Sequence, residues 1–269
     1  MASEREVEKE TNSTERHITV YYLLVVLSMN LPPISLNRQI TAEISERGYA
    51  LVPGNNFRFS AEIYPYRQQF IDSWENLILD EHLKDGGRYR FRRYGRFILD
   101  PSASRLEPQP NKPYFQSQDY NSLHGGIERI FAPLLEGENQ FLQELIWFDF
   151  SQLPIPAELS SVKWNTGVHQ IRIIADPLSV GKPTPEGIHH DGEMFTIQHH
   201  LQRRNVQGGT FSVYDNEQKL LEEWKQIHCF DSVYLEDVKI MHGVSDIKSK
   251  NRKTVGLRDI LLIDFDPLL

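Results

Sequence analysis

The stretch Glu186-Gly187-Ile188-His189-His190-Asp191-Gly192-Glu193 concentrates more reactive side chains than any other part of this chain. Read as a strand, it alternates its side chains with a period of two, so His189 and Asp191 share a face and His190 points the other way. That face offers an imidazole and a carboxylate to one metal ion. A second histidine, brought alongside by folding, would complete a two-histidine, one-carboxylate set. Such a set leaves coordination positions open and suits ferrous iron. His242 lies 51 residues downstream, in Lys239-Ile240-Met241-His242-Gly243-Val244, at the end of another strand-like run. The plain alternative for these residues is a buried histidine bonded to a neighbour and an aspartate in a turn.

Arg258 sits 16 residues beyond His242 in Gly256-Leu257-Arg258-Asp259-Ile260-Leu261-Leu262. A guanidinium in so apolar a run needs a partner, because burying an unpaired charge is costly. The partner is either a bound carboxylate, gripped bidentately by the planar fork, or an acidic side chain such as Asp259 or Asp264. Gln170 and Arg172 share a strand face with Val168 and Ile174. They line either a ligand-holding mouth or a solvated sheet face. Arg93, Tyr94 and Arg96 are further candidates for gripping an anionic substrate, with a solvated face as the simpler reading.

His-x-Asp, then His, then Arg on the last strand is the order found in 2-oxoglutarate/Fe(II)-dependent dioxygenases, which this chain resembles. More narrowly, His169-Gln170-Ile171-Arg172, Ile188 to Glu193, Gly208-Gly209 and Leu257 to Leu262 are similar to the bacterial family that includes L-isoleucine 4-hydroxylase. Tyr114 to Asn121 shares the likeness, which covers about residues 88 to 265. The resemblance implies Fe(II) held by His189, Asp191 and His242, with the distal carboxylate of the cosubstrate 2-oxoglutarate on Arg258. It further implies O2 as oxidant, ascorbate as an aid, and a free aliphatic L-amino acid of the leucine, isoleucine or methionine type as substrate. Gln170, Arg172, Arg93 or Arg96 would then hold that substrate. The rivals are the same chemistry on a peptide or protein side chain, a metal-binding cupin that is not an oxygenase, and a non-catalytic interaction domain.

To position these residues the chain needs several strands meeting at one mouth. From Val162 onward the pattern is one of short strands broken by turn residues, near 166–175, 188–200, 209–215, 230–236, 238–243 and 254–265. Gly208-Gly209 and Asp215-Asn216 mark turns, and Leu220 to Gln226 reads as a short helix. Many short strands at this spacing point to a jelly roll, a double-stranded β-helix whose open end holds ligands. Upstream, Leu36 to Arg47 reads as a helix stopped by Gly48, Tyr49 to Val52 as a strand, and Tyr66 to Leu79 as a second helix. Arg88 to Leu99 reads as a strand, Pro101 to Pro113 as a proline-rich loop and candidate lid, and Ile127 to Leu135 as helical. Phe141 to Phe150 fits helix or strand. The expected organisation is a disordered tail over 1–16 and a single dioxygenase domain over 17–269. That domain is mainly β with flanking helices (α+β), with a helical part over about 30–160 and a jelly-roll core over about 162–266.

Composition sets the outer bounds. The 269 residues are 39% hydrophobic and 25% charged, as expected for a globular protein. A net charge of −8 argues against nucleic acid as the main partner, although Arg88-Tyr89-Arg90-Phe91-Arg92-Arg93 is locally basic. Cys229 is the single cysteine, so no intramolecular disulfide forms, and a small core role in a reducing cytoplasm is expected. The apolar run Ile18 to Met29 is too short to span a bilayer and follows an acid-rich leader, so no membrane role is expected.

Overall fold

Period-two alternation of Ile, Val, Leu and Phe with polar residues becomes long strands wherever one face is covered by helices and the other by a second layer. A computed structural model describes residues 32–269 except Asn121, Ser122 and His124. The expected disordered tail and the apolar run Ile18 to Met29 lie outside the described residues. The chain runs β1 (Ile34–Leu36), α1 (Thr41–Arg47), β2 (Tyr49–Val52), β3 (Phe57–Phe59), α2 (Tyr64–Asp72), β4 (Ile78–Leu79), β5 (Arg90–Asp100) and β6 (Arg105–Gln109). Next come β7 (Tyr114–Phe115), β8 (Glu128–Arg129) and α3 (Gln140–Gln152). The remaining strands are β9 (Trp164–Ala175), β10 (Phe195–Arg204), β11 (Val206–Gly208), β12 (Phe211–Tyr214), β13 (Leu220–Trp224), β14 (Ser232–Glu236), β15 (Met241–Val244), β16 (Ile247–Ser249) and β17 (Gly256–Pro267).

The major sheet has the order β2-β14-β10-β17-β9-β5-β4, with β6 added beside β5. The facing minor sheet has the order β13-β12-β15, and an isolated bridge from His242 to His189 extends it. Together they form the mainly β jelly roll. Register fixes which residues look inward. Arg258, Ile260, Leu262 and Asp264 of β17 pair with Ile173, Ile171, His169 and Gly167 of β9, and all but Gly167 line the space between the layers. The alternate residues Leu261, Ile263, Phe265 and Val168 face outward. There they join Phe141, Leu142, Leu145 and Ile146 of α3 and Phe70 and Trp74 in one core. Each such side chain contributes about 1.5–3 kcal/mol on burial, so this layer anchors the sheet that carries the site.

A polar cluster is sealed in the same layer. His199 bonds Asp149 Oδ2 at 2.9 Å and Ser232 Oγ at 2.7 Å, and the Tyr234 hydroxyl donates to Asp149 Oδ1 at 2.7 Å. His199 and His200 are both fully buried.

Several expectations are corrected. The 127–135 region is not helical: Glu128–Arg129 pairs with β7, and Pro133 bridges Tyr94. Leu220 to Trp224 is a strand, because it pairs along β12. The 101–113 stretch contains β6, which hydrogen-bonds to β5, so much of it is sheet instead of a free lid. The strand expected from Ile188 begins only at Phe195. Phe141 to Phe150 resolves as helix, capped by the Asn139 side chain accepting from Leu142 N at 3.3 Å. Cys229 is exposed in a turn, with its Sγ 3.3 Å from Arg67 Nη2, so it is not a core residue.

Gly48 does end α1, at φ +80°, donating its N–H to Ile44 O at 2.8 Å. A Cβ there would lie 2.9 Å from Lys239 Cβ. Gly48→Ala is therefore expected to cost about 1–2 kcal/mol for the left-handed backbone alone, read as a lower midpoint in chemical unfolding. An unchanged midpoint would show that this cap is not under strain.

Candidate metal and cosubstrate site

His189 and His242 come from adjacent segments that exchange backbone hydrogen bonds, each N–H donating to the other's carbonyl at 3.0 Å. Asp191 follows two residues later in an irregular loop. The three side chains bring ligand atoms within 4.8 Å of one another. Asp191 Oδ1 lies 3.4 Å from His189 Nε2, and Oδ2 lies 3.6 Å from His242 Nε2. His189 Nδ1 is 3.0 Å from Gly187 O, and donation there aims Nε2 at the cluster as the nitrogen a metal would take in place of its proton. The His242 ring stacks on Phe211 at 5.5 Å and 5°.

The loop carrying Asp191 is held from behind. Asp237 accepts from Asp191 N at 2.9 Å and Gly192 N at 2.8 Å, while Gln116 Nε2 donates to Asp191 O at 2.6 Å. His190 turns the other way and bonds Asp237 O through Nδ1 at 2.5 Å. Gly192, at φ +91°, packs under Tyr120, whose ring a Cβ would meet at 2.5 Å.

Electrostatics within the cluster favour a cation. Burial works to raise Asp191, yet His242 and His189 hold its carboxyl well below the usual range. Burial also opposes a charged His189, but Asp191 and Glu186 lift it to about 9; burial pulls His242 down to about 4. One carboxylate thus supports one positive imidazole, the place a metal ion would take. The buried Asp191 Oδ2 has no hydrogen-bond partner among the described residues. Two imidazole nitrogens, one carboxylate and that orphaned oxygen fit a divalent metal with open positions.

Arg258 is fully buried and projects from β17 into the same pocket. Its Nη2 donates to Gln226 Oε1 at 2.8 Å, but Nε and Nη1 have no partner among the described residues. Neither acidic neighbour takes it: Asp259 is held by Arg172, and Asp264 by His169 and Gly167 N. Burial and the nearby Arg203 pull Arg258 down to about 9. So costly a charge, with two nitrogens unpartnered among the described residues in a pocket-lining side chain, fits a bound carboxylate.

Four expected substrate residues are elsewhere. Gln170 donates to Ser73 Oγ at 2.7 Å under the helices. Arg172 grips both oxygens of Asp259 at 2.8 Å and reaches Glu75 at 2.9 Å. Arg93 bonds Asn76 O and Pro133 O, and Arg96 bonds Asn165 Oδ1. None lines the pocket: Gln170, Arg172 and Arg93 lie on the opposite phase of their strands, and Arg96 shares the phase of Arg90 and Arg92 but lies farther along β5, against Asn165. The inward set is Arg90 and Arg92 of β5, His169, Ile171 and Ile173 of β9, and Tyr114, Gln116 and Arg129 from the β7–β8 region. For β9 the sequence signal was the same alternation, read one residue out of phase; no alternation marked Tyr114, Gln116 or Arg129. Glu193 also lines the pocket; burial, then Asp264 and Asp266, push it up to about 9.

A family model described as 2OG-Fe dioxygenase matches residues 71–264. No curated protein matches the chain. Among solved structures, a bsmA homolog from Methylobium petroleophilum PM1 is similar at 26% identity and TM-score 0.72, covering 86% of this chain and 95% of that one. IDO from Bacillus thuringiensis is similar in fold at 20% identity and TM-score 0.70, covering 85% and 98%. The Fe(II)/α-ketoglutarate-dependent dioxygenase TqaL is similar in fold at 18% identity and TM-score 0.63, covering 91% and 88%.

Proposed function

This chain belongs to the 2OG-Fe dioxygenase family, and on that premise we propose that it hydroxylates a small free L-amino acid of the leucine, isoleucine or methionine type. The family implies Fe(II), 2-oxoglutarate and O2. One observation carries the substrate reading: a single pocket holds His189, Asp191, His242 and Arg258 together with aliphatic Ile171, Ile173 and Pro183 and three further buried arginines. That composition suits a small molecule with an anionic end and an apolar end.

His189, Asp191 and His242 would hold the metal, and Arg258 the distal carboxylate of 2-oxoglutarate. Bound ferrous iron supplies the activation of O2 that puts one oxygen atom into the substrate and the other into succinate, with loss of carbon dioxide. Val244, Ile260 and Leu262 line the pocket with apolar surface, which limits water there. Ascorbate would assist only by keeping iron ferrous. Among the described residues no helix is long and apolar enough to cross a membrane. A reducing cytoplasm suits both a ferrous site and the single Cys229.

The test is a mass-spectrometric screen of the twenty L-amino acids with the protein, Fe(II), ascorbate and 2-oxoglutarate. The expected result is one oxygen atom gained by leucine, isoleucine or methionine, with succinate formed in equal amount. Turnover of peptides and of no free amino acid would replace this reading with the peptide one.

A further inference from the structure

Away from Arg258 the pocket holds a second group of cations. Arg90 and Arg92 project inward from β5 and Arg129 from β8, and all three are buried. Asp80 lies among them. It accepts from Arg90 Nε at 2.7 Å and its charge also acts on Arg92 and Arg129. Glu186 acts on Arg129 as well. Three guanidinium groups thus crowd one side of the pocket.

The direct partners of Arg92 and Arg129 are neutral. Arg92 Nη2 donates to His169 Nδ1, and Arg129 Nη2 donates to Gln116 Oε1 at 3.3 Å. His169 Nε2 lies 3.0 Å from Asp264 Oδ2, and donation there fixes the tautomer that accepts from Arg92. Arg92 stands over the Phe131 ring at 4.0 Å and Arg129 over the Tyr114 ring at 4.9 Å, so aromatic faces hold both planes in place. Arg92 Nε, Arg129 Nε and Arg90 Nη2 are buried with no partner among the described residues. Buried cations with unused donors call for an anion.

We propose that Arg92 and Arg129 form a second carboxylate site, which grips the α-carboxylate of the substrate while Arg258 holds 2-oxoglutarate. The role given to this carboxylate rests on the free-amino-acid reading above. Asp80 and His169 act as positioning residues: Asp80 tethers Arg90 and offsets the cluster, and His169 aims Arg92.

The experiment is a cycle between protein and substrate. The amino acid found in the screen and its α-amide are compared on wild type, Arg92→Gln and Arg129→Gln, each loaded with Fe(II) and 2-oxoglutarate. Wild type is expected to favour the acid over the amide by tenfold or more in kcat/KM, through KM. Each variant is expected to raise KM for the acid at least tenfold and to reduce the acid-over-amide preference to about threefold or less. A merely structural role would impair acid and amide alike and leave that preference intact, which would overturn the proposal. Calorimetric affinity for 2-oxoglutarate under anaerobic conditions checks that the variants are folded. A variant that fails this check is replaced by Arg129→Lys, expected to retain part of the preference. If no amino acid is turned over, the functional reading fails separately. The second site is then judged by titrating the Mn(II)- and 2-oxoglutarate-loaded protein with isovalerate and isovaleramide. Binding of the acid to wild type alone sustains the site, and equal binding of acid and amide, or none, removes it.

Discussion

Alanine at His189, Asp191 or His242 is expected to abolish turnover and to release the metal, because each would supply one of only three protein ligands. A metal bound by two remaining side chains on a partly open site loses both affinity and defined geometry. The controls are adjacent in sequence. His190 faces Asp237 O instead of the cluster, so His190→Ala loses support of the loop and not a ligand. Its activity should stay within about ten- to a hundredfold of wild type, the usual cost of disturbing a group that only orients a ligand. Metal content after desalting, measured beside activity, separates the two cases. Full metal binding by His189→Ala combined with loss in His190→Ala would move the ligand assignment by one residue.

Arg258 gives the second large effect. Arg258→Lys keeps a charge near the pocket but loses the planar fork and the bond to Gln226 Oε1. The affinity for 2-oxoglutarate should fall roughly ten- to a hundredfold, corresponding to about 1.5–3 kcal/mol for a charged hydrogen bond. The dissociation constant, titrated with Mn(II) in place of iron, measures this without turnover. Equal affinity in Arg258→Lys and wild type would take Arg258 out of cosubstrate binding. Because Arg92 and Arg129 are distinct cations in the same pocket, their variants serve as the comparison. The two sets should affect different ligands.

The nature of the molecule was largely legible from local pattern. His189-x-Asp191, a later histidine at a strand end and an arginine in an apolar strand are features of residue type and order, and they come together in space. Gly48 announced a helix stop through the one backbone conformation that glycine tolerates best. The reason given for His189 and Asp191 sharing a side was a strand, yet Asp191 lies in a loop. What turns it toward the histidines is the pair of hydrogen bonds that the Asp191 and Gly192 backbone N–H groups donate to the Asp237 carboxylate, about 46 residues away. No local pattern contains that contact.

The arginines mark the boundary most clearly. In β5, Arg90, Arg92, Arg93 and Arg96 look alike as sequence, and their alternation says only that neighbours face opposite ways. Which way is inward depends on the register of β5 against β9 and on the helices that cover the other side. Both faces of these strands are buried, so polar residues occur on each and the usual contrast between wet and dry faces disappears. Gln170 donates through Nε2 to Ser73, and Arg172 binds Glu75 and Asp259, partners distant in sequence that only folding brings near. The sequence by itself determined the chemistry available, the order of the reactive residues and the kind of fold, because these follow from residue types and short-range periodicity. Only the tertiary structure decided which arginines enter the pocket, because strand phase is set by packing between layers that local sequence does not encode.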